Sequence, residues 1–196
     1  MTPTASAAGG FRRLDERTVH QGHLWRVAVA EFEGPTGERF VRDVVRSPGA
    51  VGVVPVLFDA EGVASVVLVR QYRPVLDAWM LEIPAGMRDV AGEPPETTAA
   101  RELTEEAGLA ARHLELLTVF HPSAGMTDAT THVFLATDLT AVAADPHGPE
   151  EEAMQVVHLA LADAVAQVRS GQISDAKTAI GVLLAAARLR EADGGA

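Results

Sequence analysis

Three glutamates, Glu102, Glu105 and Glu106, fall within the run R-E-L-T-E-E-A-G-L from Arg101 to Leu109. On a helix, at about 100° per residue, they gather about a third of a turn from Ala99, Ala100, Leu103 and Ala107. One face then packs and its neighbour is all carboxylate. Like charges three and four residues apart repel by a few tenths of a kcal/mol per pair. A cation removes that repulsion, and oxygen-only ligands select a hard divalent ion, most simply Mg²⁺, with Mn²⁺ as the alternative. The competing reading is a solvated acidic surface, the commoner fate of such a face.

The element that must hold these carboxylates is bracketed by punctuation. Pro94 and Pro95 suit a first turn, where a missing N–H costs nothing, and Gly108 suits a left-handed stop. Upstream, Leu24 to Glu33 and Glu38 to Arg46 are β-like runs joined by G-P-T-G, which predicts a hairpin. A lone hairpin is marginal in water, so these strands are expected to lie on the main domain or on a second subunit. Val51 to Phe58 and Val63 to Arg70 read as buried strands joined by Asp59 to Gly62. Strands near Leu114 to Phe120 and Thr131 to Thr137 flank a loop from His121 to Asp128. A polar loop from Asp145 to Glu152 precedes a strand around Gln155 to Leu159. Two helices close the chain: one with Leu161, Val165 and Val168 on a face, ended by Gly171, and one from about Asp175 with Ile180, Leu183, Leu184 and Ala187 as its stripe. The first ten residues, rich in Ala, Thr and Gly, read as disordered.

The chain of 196 residues suffices for one core with an appendage. Its net charge of −11 opposes broad binding to nucleic acid or to an anionic membrane, so an anionic substrate needs local arginines. With no cysteine there is no disulfide and no thiolate nucleophile or ligand, which fits a cytoplasmic protein. No apolar run is long enough for a membrane span. Arginine forks match phosphate, and Arg42 within the predicted hairpin, with Arg73 and Arg70 at a predicted strand end, are the candidates; surface salt bridging is the rival reading for Arg70. His121 and His147 read as plain loop residues, because neither has a second histidine at ligand spacing.

The whole segment from Gly86 to Leu109, G-M-R-D-V-A-G-E-P-P-E-T-T-A-A-R-E-L-T-E-E-A-G-L, resembles the Nudix box, in which a glycine and a glutamate precede R-E-U-x-E-E-x-G-U with U aliphatic. Every residue from Arg101 to Leu109 matches. Seven residues separate Glu93 from Arg101, as in the pattern; six separate Gly86 from Glu93, one more than the pattern has. An extra residue in that loop leaves the helix face unrotated. V-R-Q-Y-R-P (Val69 to Pro74), W-M-L-E-I-P-A-G (Trp79 to Gly86), S-A-G-M-T-D (Ser123 to Asp128) and G-Q-I-S-D-A-K-T (Gly171 to Thr178) are similar to the ADP-ribose pyrophosphatase branch, and the longer box to its actinobacterial members.

This resemblance implies an α+β chain with the Nudix fold, an αβα sandwich whose mixed sheet lies between helices. Residues 1–46 would be the disordered start and a hairpin exchanged across a homodimer; residues 47–196 would be the hydrolase domain. It implies Glu102, Glu106 and the carbonyl of Ala85 as metal ligands, with Glu105 assisting, Arg101 orienting a box glutamate and Glu93 behind them. The general base of the branch lies on a loop before a late strand, here Glu150, Glu151 or Glu152. Glu150, four residues before Met154, is the first choice and Glu151 the second. Gly125, Thr127 and Asp128 fall where the branch meets the terminal ribose. The implied reaction is Mg²⁺-dependent hydrolysis of ADP-ribose to AMP and ribose 5-phosphate. The alternatives are another nucleotide sugar, a dinucleoside polyphosphate or NADH as substrate, or a silent nucleotide sensor; the intact box speaks against the last.

Overall fold

A computed structural model describes residues 8–145, 149–192 and 194, without the side chains of Ala8, Pro149 and Glu150. Most of the expected disordered start, and His147, lie outside the described residues; Ala8–Gly10, expected to be disordered, form a 3-10 turn. The chain divides into two compact units, Met1–Gly49 with His121–Ala129, and Ala50–Phe120 with Thr130–Ala196.

The first unit is a three-stranded antiparallel sheet in the order β1 (Arg12–Gln21), β2 (Arg26–Glu33), β3 (Arg39–Arg46). The β2–β3 hairpin turns where Gly34 N–H donates to the Glu38 carbonyl at 2.8 Å, and Gly37 takes φ +88°, a conformation open to glycine. The third strand, β1, extends the expected hairpin to a sheet of three. Its sequence, R-R-L-D-E-R-T-V-H-Q, has no apolar alternation, so nothing local marks it. Cross-strand charge holds it instead. Glu16 receives Arg26 of β2 at 3.2 Å and both Nε and Nη2 of Arg46 of β3, whose side chain is mostly covered, while Arg13 of its own strand adds a contact at 2.9 Å. Phe32 and Phe40 stack at 5.4 Å, with the edge of Phe11 on Phe40 at 6.3 Å, giving the small sheet its apolar contribution.

The second unit holds seven strands: β4 (Ala50–Phe58), β5 (Ala64–Arg73), β6 (Ala78–Glu82), β7 (Ala85–Met87), β8 (Leu109–Phe120), β9 (Thr131–Ala141) and β10 (Gln155–Ala160). The main order is β10-β5-β4-β9-β8, with β6 on β5 and β7 on β4. β4 and β9 run parallel and the other pairs antiparallel, so the sheet is mixed. Period-two alternation makes two cores. Val51, Val53, Phe134 and Ala136 meet Ala99 and Leu103 of helix α1 (Pro95–Ala107). Val54, Val56, Val133 and Leu135 point the other way, onto α3 (Leu161–Arg169) and α4 (Ala176–Ala192). The result is helix, sheet, helix. The expected polar loop near Glu152 contains a single helical turn, α2 (Pro149–Glu152).

Helix α4 corrects the predicted stripe. Thr178, Gly181, Val182, Ala185 and Ala186 are buried, whereas Leu183 and Leu184 are exposed. The reason is close approach. A Cβ on Gly181 would lie 2.8 Å from Val54 Cγ2 and 3.1 Å from Val133 Cγ1, so the helix rests on its small residues and turns its large ones out.

Candidate active site

Helix α1 begins and ends as its punctuation demands: Pro94 stands at the cap, Pro95 opens the first turn, and Gly108 at φ +61° donates its N–H to the carbonyls of Leu103 and Thr104. The buried side includes Thr98, Ala99, Leu103 and also Glu102 and Glu106, while Ala100, expected on the packing side, is exposed. Two of the three glutamates thus lie against the sheet rather than in water, at 7% and 8% exposure.

Strand β7 receives them. Ala85 N–H donates to Glu106 Oε2 at 2.8 Å, and Gly86 lies so near Glu102 that a Cβ there would meet its carboxylate carbon at 2.1 Å. Glycine at 86 is therefore the space that Glu102 fills. Arg101 bridges the remaining carboxylates, at 2.9 Å from Glu102, 3.0 Å from Glu105 and 3.5 Å from Glu93. Glu93 also accepts the Thr98 hydroxyl at 2.7 Å, which ties the loop ahead of α1 to its first turn.

Burial pushes the Glu102 carboxyl up to about 7; Arg101 opposes the rise, and the charges of Glu105, Glu151 and Asp89 add to it. Burial likewise pushes Glu106 up to about 8, against the pull of the Ala85 N–H and with the charges of Glu102 and Glu151 adding. No three His, Cys, Asp or Glu side chains among the described residues form a finished cation cage. Glu106 is engaged by a backbone N–H and Glu102 by Arg101. The donors nonetheless fit a hard divalent ion. They are buried oxygens whose ionised form is costly by itself, and a cation would favour that form.

Glu151, on α2, is half-buried and near enough for its charge to raise both Glu102 and Glu106. Glu152 is exposed, and the Glu150 side chain lies outside the described residues.

The expected substrate residues separate into two groups. Arg42, Gly125, Thr127 and Asp128 line one cavity of about 610 Å³ in the first unit, with Phe32, His121 and Arg46 among its other walls. Arg42 is exposed and lies over the Phe40 ring at 4.8 Å. Asp128 accepts from Arg46 Nη1 at 3.0 Å, and Gly125 borders open space. In the second unit, Arg70 lies over Trp79 at 5.4 Å. Arg73 is engaged elsewhere: its Nε and Nη2 grip Glu82 at 2.7 and 2.6 Å. Lys177 binds the same carboxylate, and burial, which pushes Glu82 up, is outweighed so that it titrates at about 2. The sequence reading missed Arg46, Glu82, Asp175 and Lys177. Only Asp175, an Asp three residues before a Thr at a helix start, carries a local signal, that of an N-cap.

A model of the NUDIX domain matches residues 47–177. The chain belongs to the Nudix family. It is 36% identical over 177 residues to an ADP-ribose pyrophosphatase of Bacillus subtilis, covering 88% of this chain and 93% of that protein. It is 35% identical over 173 residues to an ADP-ribose pyrophosphatase of Mycobacterium tuberculosis, covering 88% and 82%. A solved structure of an ADP compounds hydrolase superposes with a TM-score of 0.80 at 22% identity, over 98% of this chain and all of that one, and so shares its fold. The sandwich described above is the Nudix fold, and proteins of this family generally act with a divalent metal ion.

Proposed function

We propose that this Nudix chain hydrolyses the pyrophosphate bond of ADP-ribose, with Mg²⁺, to AMP and ribose 5-phosphate. The observation that carries the reading is the pair of buried carboxylates, Glu102 and Glu106, seated on Gly86 and Ala85. Such groups are costly to ionise alone, and the site repays that cost only with a cation present. Glu102, Glu106, Glu105 and the Ala85 carbonyl would hold the ion. When bound, it neutralises diphosphate oxygens and favours an ionised nucleophile.

The chain's own residues do the rest. Arg101 holds Glu102 and Glu105 in place through one guanidinium nitrogen, Nη1. Glu151, or its neighbour Glu150, takes the proton of the attacking water, a role supported by the field of Glu151 at both buried glutamates. Arg42, over Phe40, binds substrate phosphate, and the cavity carrying Gly125, Thr127 and Asp128 receives the ribose. Arg73, committed to Glu82, braces the strand ends. ADP-ribose is chosen over other nucleotides because two relatives matched over most of their length are named for it. The protein acts as a cytoplasmic homodimer, with residues 1–46 as the pairing segment and 47–196 as the hydrolase domain.

The test is hydrolysis of ADP-ribose, ADP-glucose, GDP-mannose, NADH and diadenosine polyphosphates with Mg²⁺, followed by chromatography of products. The expected result is the highest kcat/KM for ADP-ribose, with AMP released. A higher kcat/KM for another substrate would overturn the substrate, and metal-independent or absent turnover would overturn the chemistry.

A further inference from the structure

Between β6 and β7 the chain runs through Ile83, Pro84 and Ala85, and the partners of its backbone are unusual. Ile83 N–H donates to the hydroxyl of Thr178 at 2.9 Å, and Ala85 N–H donates to Glu106 at 2.8 Å. Pro84 has no N–H, and its carbonyl accepts from Val53 at 2.8 Å. Both N–H groups of the segment are thus taken by side chains, one from α4 and one from α1. The segment is a bridge between helices on opposite faces of the sheet.

The α4 end of that bridge is fixed twice. Thr178 is fully buried, and its hydroxyl donates to Asp175 Oδ2 at 2.6 Å while its own N–H donates to the same oxygen at 2.9 Å. That geometry leaves the hydroxyl lone pair aimed at Ile83, so the hydroxyl cannot turn away without losing two partners. One residue earlier, Lys177 binds Asp175 at 3.1 Å and reaches Glu82, the residue before Ile83. Adjacent residues of α4 therefore hold the last residue of β6 and the one that follows it.

We propose that the first turn of α4 is a positioning device for the metal site: Thr178 and Lys177 set the Ile83–Ala85 backbone that docks Glu106 and presents the Ala85 carbonyl. The inference rests on the reading that Glu106 and Ala85 hold the ion. A ligand carbonyl displaced by a fraction of an ångström is a poorer ligand, and groups that orient ligands typically change metal affinity by 10- to 100-fold. Thr178 and Lys177 touch neither substrate nor ion in this scheme. They act through the backbone.

The test uses the full chain, stripped of metal and titrated with Mn²⁺ by calorimetry at a temperature where melting curves show each variant folded. Thr178→Val keeps the shape and removes the hydroxyl; Thr178→Ser restores it. Thr178→Val is expected to weaken Mn²⁺ binding about tenfold, with Thr178→Ser returning to within about twofold of the unmodified chain. The metal concentration for half-maximal hydrolysis should follow, while KM for ADP-ribose at saturating metal stays constant. A lower melting temperature with unchanged Mn²⁺ affinity would overturn the inference and leave a merely structural hydrogen bond. Absence of Mn²⁺ binding by the unmodified chain would overturn the metal reading and this inference together. Should Thr178→Val not fold, Lys177→Met, which keeps the stem and breaks the link to Glu82, carries the same expectation and the same refutation.

Discussion

Replacing Glu106 by glutamine separates what the carboxylate does for catalysis from what it does to the fold. Below about pH 4.5 the group is protonated in folded and unfolded chains alike. Above that, the unfolded chain releases a proton that the folded chain keeps until about 8, because burial opposes ionisation. Stability of the metal-free protein therefore falls as pH rises through this window, by at most about 1.4 kcal/mol per unit. The full rise corresponds to about 4 to 5 kcal/mol for Glu106 alone. Glu102, raised to about 7, contributes in the same direction, and the two share one repulsion, so their effects do not simply add. Glutamine mimics the protonated acid and can still accept the Ala85 N–H. Urea unfolding in chelator from about pH 5 to about pH 9 should show the unmodified chain losing on the order of 4 kcal/mol. Glu106→Gln should match it at the acid end and lose no more than about half as much at the alkaline end. Added Mg²⁺ should restore the unmodified chain at high pH and leave the variant unchanged, while hydrolysis by the variant drops about 100-fold or more. A flat pH profile for the unmodified chain in chelator, or an unaltered slope in the variant, would refute the reasoning.

Gly181→Ala sets a helix-propensity gain of about 1 kcal/mol against overpacking of about 1–3 kcal/mol, and the 2.8 Å approach to a stiff valine in a strand decides for the latter. Thermal melting should show a loss of a few degrees, and a gain would contradict the seating of α4. Gly86→Ala puts a methyl where the Glu102 carboxylate sits. The chain should fold, since that carboxylate is the end of a flexible side chain, but need about tenfold more Mg²⁺ for half-maximal hydrolysis, as expected when a ligand is misplaced; an unchanged requirement would contradict the packing. Glu82 titrates at about 2 in the folded chain, so its contribution is present above about pH 4.5 and is lost as pH falls toward 2. Glu82→Gln should cost about 3 kcal/mol at neutral pH in urea unfolding and flatten the acid limb of the stability curve.

Much of the site was legible because it is local. Pro94, Pro95 and Gly108 bracket α1 in sequence, and the three glutamates share a face by spacing alone. What spacing could not tell is which side of that face the sheet covers: Glu102 and Glu106 are buried because β7, far back in the chain, provides a glycine and a free N–H at the right height. Arg73 looked available for phosphate because its partner Glu82 lies across a β hairpin, and Lys177 lies 95 residues beyond that. β1 was invisible because charge pairs to other strands, not apolar alternation, hold it. The stripe of α4 was misread because hydrophobicity ranks Leu183 and Leu184 above Gly181, while contact distance ranks them the other way.

The first unit is assembled from chain segments that are far apart. Arg46 and Asp128, which meet at 3.0 Å, are 82 residues apart in sequence. During synthesis the three strands emerge early, yet the loop from His121 to Ala129 that completes the unit follows only after most of the second unit's strands have been made. Closing so long a loop costs entropy that grows slowly with its length, and contacts of this separation form late in folding. A truncation at residue 46 would not release an intact remainder, because it would leave the His121–Ala129 segment without the Val45 N–H that meets Met126 and the Arg46 side chain that meets Asp128. The N-terminal sheet is therefore expected to gain its final protection from hydrogen exchange only after the rest of the chain has folded.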